Sequence, residues 1–194
     1  MKQLTDEELA EGCLRGEKVC EHELFKRWYG KLGGICRRFA NSDDEVKDLL
    51  QESFIKIFEK LEKFRGESSL ATWMKRITIN HCINYYKKEL RKEFESQIDD
   101  NMMEDVAEEE YVSIESLPSE TVLEYIRKLP QGYRVVLTLY AVENRSHSEI
   151  AELLGISIGT SKSQLNKARK MLKKLLEIYS SQQPQQKEKI YHGK

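Results

Sequence analysis

The chain has 194 residues, 39% hydrophobic and 34% charged, with 32 Lys+Arg against 33 Asp+Glu for a net charge of −1. That composition is too apolar for a disordered chain, and the length suits one large domain or two small ones. No run approaches the roughly 18 apolar residues of a membrane span, and the start Met1-Lys2-Gln3-Leu4-Thr5-Asp6-Glu7-Glu8 lacks a signal peptide's apolar core, so the expectation is no membrane insertion and a cytoplasmic location.

The periodicity is helical throughout, and no segment alternates with period two for long enough to form a strand, so the fold class is all-α. Thr5-x-x-Glu8 is a capping box, with Leu4 and Leu9 placed as a hydrophobic staple. A second helix over about 19–39 sets Leu24, Trp28, Leu32, Ile35 and Phe39 on one stripe. Ser42-x-x-Glu45 caps a third, whose apolar series is Val46, Leu49, Leu50, Phe54, Ile57, Phe58 and Leu61. Gly66 interrupts, and Ser68 or Ser69 restarts a fourth helix running to about Lys92. Residues 1–95 thus read as one helical bundle with a basic end: Lys63–Lys92 holds eight basic residues and two acids, Glu67 and Glu89.

Residues 96–116 show no sustained period, and 96–124 hold ten acids without one Lys or Arg, which reads as a flexible acidic linker. Pro118 opens a fifth helix to Leu129, Pro130-Gln131-Gly132 breaks it, and a sixth follows from about Tyr133 to Val142. Ser146-x-x-Glu149 caps a short seventh with Ile150, Ala151, Leu153 and Leu154 apolar, and Gly155 ends it. Ser157 caps a last helix with Ile158, Ser161, Leu165, Ala168, Leu172, Leu175 and Tyr179 facing inward. Residues 117–179 therefore form a second helical domain, and the Gln- and Lys-rich 180–194 a disordered tail.

A short capped helix, a Gly turn and a longer basic helix make a helix-turn-helix, whose second helix fits a DNA major groove. Its outward residues are Thr160, Lys162, Ser163, Gln164, Asn166, Lys167, Arg169 and Lys170. Gln164 can pair bidentately with adenine, and Lys167 can reach a guanine or a phosphate. Six bases and no acids lie between Thr160 and Lys174, whereas a merely solvated surface helix mixes signs. Cys13, Cys20, Cys36 and Cys82 are irregularly spaced and read as reduced, largely buried thiols; Cys20, His22 and Cys36 are a conceivable metal set, but no metal or cofactor is expected. The histidines (22, 81, 147 and 192) are scattered, and no nucleophile–base pair or phosphate-cradling loop is present, so no catalytic residue is assigned and an enzyme is not expected.

The runs Asp48-Leu49-Leu50-Gln51-Glu52-Ser53-Phe54-Ile55-Lys56-Ile57-Phe58, Phe64-Arg65-Gly66-Glu67-Ser68-Ser69-Leu70-Ala71-Thr72-Trp73 and Arg76-Ile77-Thr78-Ile79-Asn80 closely resemble extracytoplasmic-function (ECF, group 4) sigma factors of bacterial RNA polymerase. So do Leu129-Pro130-x-Gly132-Tyr133-Arg134-Val135-Val136 and Glu149-Ile150-Ala151-Glu152-Leu153-Leu154-Gly155, in the same order. The resemblance implies a sigma region-2 bundle and a sigma region-4 helix-turn-helix. It also implies a subunit that directs promoter-specific initiation, with Asp48, Gln51 and Glu52 on the clamp helices of core polymerase. Simple solvation is the alternative reading of those three.

Capture of the single-stranded minus-10 element falls, on this resemblance, to Phe64, Arg65, Gly66, Ser68, Ser69, Trp73, Lys75, Arg76, Asn80, Tyr85, Lys87 and Lys88. Extruded bases must gain stacking, about 1–3 kcal/mol each on an aromatic ring, to offset lost pairing. Trp73 has two readings, core packing and base contact, and one of Tyr85 and Tyr86 is expected in the core. Double-stranded minus-35 DNA falls to Ser157, Thr160, Lys162, Ser163, Gln164, Lys167, Arg169 and Lys170, with the polymerase flap nearby. Many relatives carry Val at the position of Ser161, so Ser161 is expected to loosen packing slightly, and Gln164 and Lys167 leave the preferred minus-35 sequence open. An anti-sigma partner is expected by family habit. The acidic linker either runs through a positively charged polymerase channel or stays extended by self-repulsion. The competing function is a stand-alone helix-turn-helix repressor or activator whose N-terminal half dimerises or senses.

Overall fold

In the computed structural model residues 4–96 and 119–182 are described, and among them eight α-helices and no strand are found. They fall into two compact units, Met1–Ser96 and Gln97–Lys194. The acidic segment read as a linker, Pro118 and the tail past Gln182 lie outside the described residues, and so do both readings of the linker's role.

The first unit holds α1 (Asp6–Leu14), α2 (Lys18–Phe39), α3 (Asp43–Lys60), one 3-10 turn (Leu61–Lys63) and α4 (Leu70–Ser96). The capping box forms as expected, with Glu8 N–H donating to Thr5 Oγ1 at 3.1 Å and Thr5 N–H to Glu8 Oε2 at 2.6 Å. Leu9 enters the core while Leu4 remains exposed. Asp6 ties α1 to α2 by accepting from Arg27 Nη1 at 2.9 Å and from Trp28 Nε1 at 3.2 Å. The stripe of α2 is buried from Leu24 to Phe39 and meets Val46, Leu49, Leu50, Phe54 and Ile57 of α3 and Leu70, Met74, Cys82 and Tyr86 of α4. A fully buried Leu in such a core contributes about 1.5–3 kcal/mol relative to exposure. With one face of each helix committed inward, the opposite faces of α3 and α4 are left to solvent.

The second unit holds α5 (Ser119–Arg127), α6 (Gln131–Ala141), α7 (His147–Leu154) and α8 (Ile158–Gln182). α6 begins two residues before its expected start. First-turn N–H groups have no intrahelical partner, so Pro130 at the cap and Gly132 inside the turn cost little there. Six consecutive residues of α6, Arg134–Leu139, are buried because α5, α7 and α8 all pack on it.

The inward stripe of α8 is Ser161, Leu165, Ala168, Leu172 and Leu176. Three of its expected members differ, Tyr179 being half-buried against Tyr125 of α5. Ile158 is 48% exposed, because helical side chains lean toward the N-terminus and the first one projects past the packed surface. Leu176 rather than Leu175 is buried, continuing the three-and-four spacing. α8 also runs through Ser180 to Gln182, where the tail was expected to begin.

Candidate nucleic-acid and polymerase interfaces

The helix-turn-helix is built from local rules. Asn144 at φ 51° turns the chain after α6, a conformation Asn tolerates better than most residues. Ser146 then caps α7: its Oγ accepts from Glu149 N–H at 3.2 Å, and its own N–H donates to Glu149 Oε2 at 2.8 Å. Arg145 Nη1 donates to the other carboxylate oxygen at 2.8 Å. The backbone N–H of Ser146 first, then Arg145 and the Ser146 hydroxyl, pull the Glu149 carboxyl down to about 2. Gly155 ends α7 at φ 71°, its N–H bonded to Ala151 O at 2.9 Å. Ser157 Oγ accepts from Thr160 N–H at 2.9 Å and starts α8.

Because Ser161, Leu165, Ala168 and Leu172 face inward, Ser163, Lys167, Lys170 and Lys174 form the row opposite them. Lys162, Lys170, Lys173 and Lys174 are exposed; Thr160, Ser163, Asn166 and Lys167 are half-buried. Ser163 Oγ donates to Thr160 O at 3.1 Å. Gln164 and Arg169 lie on the flanks. The Gln164 Oε1 is buried and accepts no hydrogen bond, so pairing with adenine requires the amide to swing outward. Arg169 lies over the Tyr140 ring at 5.4 Å. Ser161 is fully buried, its Oγ 2.9 Å from His147 Nδ1, a polar contact that the spacing of the stripe does not reveal.

In the first unit the 3-10 turn leads into the loop 64–69. Gly66 takes φ 70°, Ser69 Oγ accepts from Thr72 N–H at 3.2 Å, and Trp73 N–H bonds Ser69 O at 3.1 Å, which starts α4. Trp73 is only 8% exposed and packs on Phe64 with ring centroids 5.4 Å apart. Its core reading therefore describes this structure, and the pair forms a support under the loop. Arg65, Gly66, Ser68, Ser69, Lys75, Arg76, Asn80 and Lys88 are exposed and Lys87 is half-buried.

Thr72, Arg76, Asn80, Asn84 and Lys88 recur every fourth residue, all exposed. Thr72 and Asn84 were missed from the sequence, although their spacing from Asn80 was a signal. Tyr86 is the core tyrosine. Tyr85 is half-buried on the flank toward α3; burial first, then Glu45 and Glu89, push its phenol up to about 12. That flank separates it from the polar row.

On α3, Asp48, Gln51 and Glu52 are exposed on one face together with Ile55 and Glu59. Ile55, 48% exposed, was missed because the apolar series of α3 runs on the other side. Glu52 Oε2 lies 3.2 Å from His81 Nε2 of α4 without hydrogen-bond alignment. Burial holds the His81 imidazole below its ordinary value, and Lys56 adds to this, while Glu52 opposes them. Cys20 Sγ donates to Glu17 Oε2 at 3.3 Å, and Cys36 Sγ is 4.0 Å from Cys82 Sγ, so the set Cys20, His22 and Cys36 is not brought together by these contacts. Among the described residues no group of three metal-ligating side chains occurs and no helix is long and apolar enough to cross a membrane.

Residues 24–92 match the family model of sigma-70 region 2, and residues 119–172 that of sigma-70 region 4. The chain is 32% identical over 180 residues to the ECF RNA polymerase sigma-E factor of Haemophilus influenzae, covering 88% of this chain and 95% of that protein. It is 30% identical over 186 residues to the RNA polymerase sigma-H factor of Pseudomonas aeruginosa, covering 91% and 96%. Among solved structures it is similar to the sigma factor RpoE in complex with the anti-sigma factor NepR from Bartonella quintana, at 24% identity and a TM-score of 0.46 over 81% of this chain and 96% of that one. With two region models in order and such relatives along almost its whole length, this chain belongs to the extracytoplasmic-function sigma factors, which bind core RNA polymerase and direct promoter-specific transcription initiation.

Proposed function

We propose that the two units divide promoter recognition, with residues 1–95 handling the minus-10 element and core polymerase and residues 117–179 the minus-35 duplex. One observation carries this reading: α8, as far as Lys174, turns Lys162, Lys167, Lys170, Lys173 and Lys174 outward without an acid, and a helix-turn-helix presents them. Such a face attracts phosphate and fits a major groove. Ser157, Thr160, Ser163 and Lys167 approach the bases, Lys162, Arg169 and Lys170 hold phosphates, and Gln164 reaches a base after its amide rotates outward.

The exposed loop Arg65–Ser69 and the row Thr72, Arg76, Asn80, Asn84 and Lys88, with Lys75 and Lys87 beside it, capture the opened minus-10 strand. Phe64 and Trp73 brace that loop from beneath. The α3 face of Asp48, Gln51 and Glu52 docks on the basic clamp helices, the region-4 unit touches the flap, and an anti-sigma factor covers these same faces when the protein is held inactive. Promoter choice by binding needs no catalytic residue, cofactor or metal, and it takes place in the cytoplasm beside the chromosome.

The test is run-off transcription with core polymerase, followed by permanganate footprinting. Asn80→Ala and Ser68→Ala are expected to keep closed-complex binding and lose strand opening, whereas Lys167→Ala loses closed-complex binding. Ser69 is avoided because its hydroxyl also caps α4. Equal opening by all variants would refute the division of labour.

A further inference from the structure

The N-terminal ends of α7 and α8 are joined by a side-chain contact behind the reading face. His147 Nδ1 lies 2.9 Å from Ser161 Oγ, and Ser161 is wholly buried. The His147 ring stacks on Tyr140 of α6 at 4.8 Å with an interplanar angle of 27°, and Tyr140 in turn lies under the Arg169 guanidinium of α8. Three helices thus meet in one polar and aromatic cluster. Burial of Ile150, Leu154, Leu165 and Ala168 holds α8 against its neighbours, but apolar attraction has no direction and tolerates some roll of a helix about its axis. A hydrogen bond and a ring stack have set distances and angles.

We propose that Tyr140, His147 and Ser161 are positioning residues that set the roll of α8, and so the placement of Ser163, Lys167 and Lys170 over the minus-35 bases. This rests on the reading of α8 as the duplex reader. Ser161 stands in the first turn of α8, two residues before Ser163. Without His147 its buried hydroxyl keeps a polar partner only by bonding back to the helix backbone, which bends the first turn.

The imidazole takes part in its neutral form. The charged and titratable groups facing it are Lys162 and Arg169 of α8 and the Tyr140 phenol of α6. Burial first, then the two cations, hold the ring below its ordinary value of 6.5, so protonation opposes the arrangement. The contribution is complete above the ordinary value and is lost as pH falls below it through the lowered one.

The experiment uses holoenzyme assembled from the full chain and core polymerase. Its affinity is measured for a duplex selected by that holoenzyme from a randomised pool, and for the same duplex with the minus-35 block scrambled. The ratio of the two affinities reads region 4 alone, while affinity for the scrambled duplex controls for folding. Ser161→Ala is expected to lower the ratio about three- to tenfold, and Ser161→Ala with His147→Ala to lower it no further than the larger single effect. The wild-type ratio holds above the ordinary imidazole value and falls as pH drops below it, while His147→Asn, which keeps a polar atom near Nδ1 but does not titrate, gives a flat profile. An unchanged ratio in Ser161→Ala, additive losses, or a His147→Asn profile that follows wild type would overturn the inference. Lys167→Ala separates the two levels: no loss there removes α8 as the reader and this inference with it, whereas loss there but none in Ser161→Ala removes this inference alone.

Discussion

Gln164 illustrates how a side chain on the edge of a helix stripe is decided by its neighbours. Helical period puts it outside the row Ser161, Leu165, Ala168 and Leu172, which is why the sequence offers it as a base reader. In the structure its Oε1 is buried without a hydrogen bond, a state that costs about 1–3 kcal/mol. Replacing the amide by an apolar side chain of similar shape is therefore expected to stabilise the region-4 unit while removing a base contact. Gln164→Met should raise the thermal midpoint of that unit and flatten preference at one minus-35 base pair by about 1–3 kcal/mol, read by competition among duplexes. Trp73 and Ser161 were legible only in part for the same reason. Sequence spacing marks the side of a helix, but whether an aromatic ring lies on Phe64 or a hydroxyl meets His147 depends on how the chain outside that helix folds back onto it.

At the scale of the element, the starts of helices were the most legible feature, because a cap is local chemistry within four residues. Thr5, Ser42, Ser69, Ser146 and Ser157 each accept the backbone N–H three residues on. Ser146→Ala is expected to cost the region-4 unit about 1 kcal/mol in chemical denaturation and to loosen the start of α7, which also carries His147. The acid side of the stability profile follows from the same box. Glu149 titrates near 2 in the folded unit against an ordinary 4.5, so its contribution is full above about 4.5 and disappears as pH drops toward about 2. Glu149→Gln should flatten that acid limb in unfolding scans at stepped pH, and an unaltered limb would contradict the cap's role. The start of α6 was less legible, since Pro130 and Gly132 read as a break and act as an N-terminus.

For the whole molecule, near-zero net charge conceals a segregated one, and the consequence is measurable. Each phosphate neutralised contributes about 0.9 to the slope of log affinity against log salt. A Lys162→Ala, Lys170→Ala pair is expected to lower the slope of holoenzyme binding to minus-35 duplex by about 2 and to weaken all sequences together, with little change in core association. The order of helices, most of their caps and buried stripes, and the acid-free, cation-rich stretch Thr160–Lys174 of α8 follow from the sequence alone, because each is set by residues within one or two turns of one another. Tertiary structure alone decided that Gln164 is turned inward, that Tyr85 lies toward α3, that Trp73 braces Phe64, and that Ser161 finds His147. Those outcomes depend on contacts between helices, whose distances and roll no local period encodes.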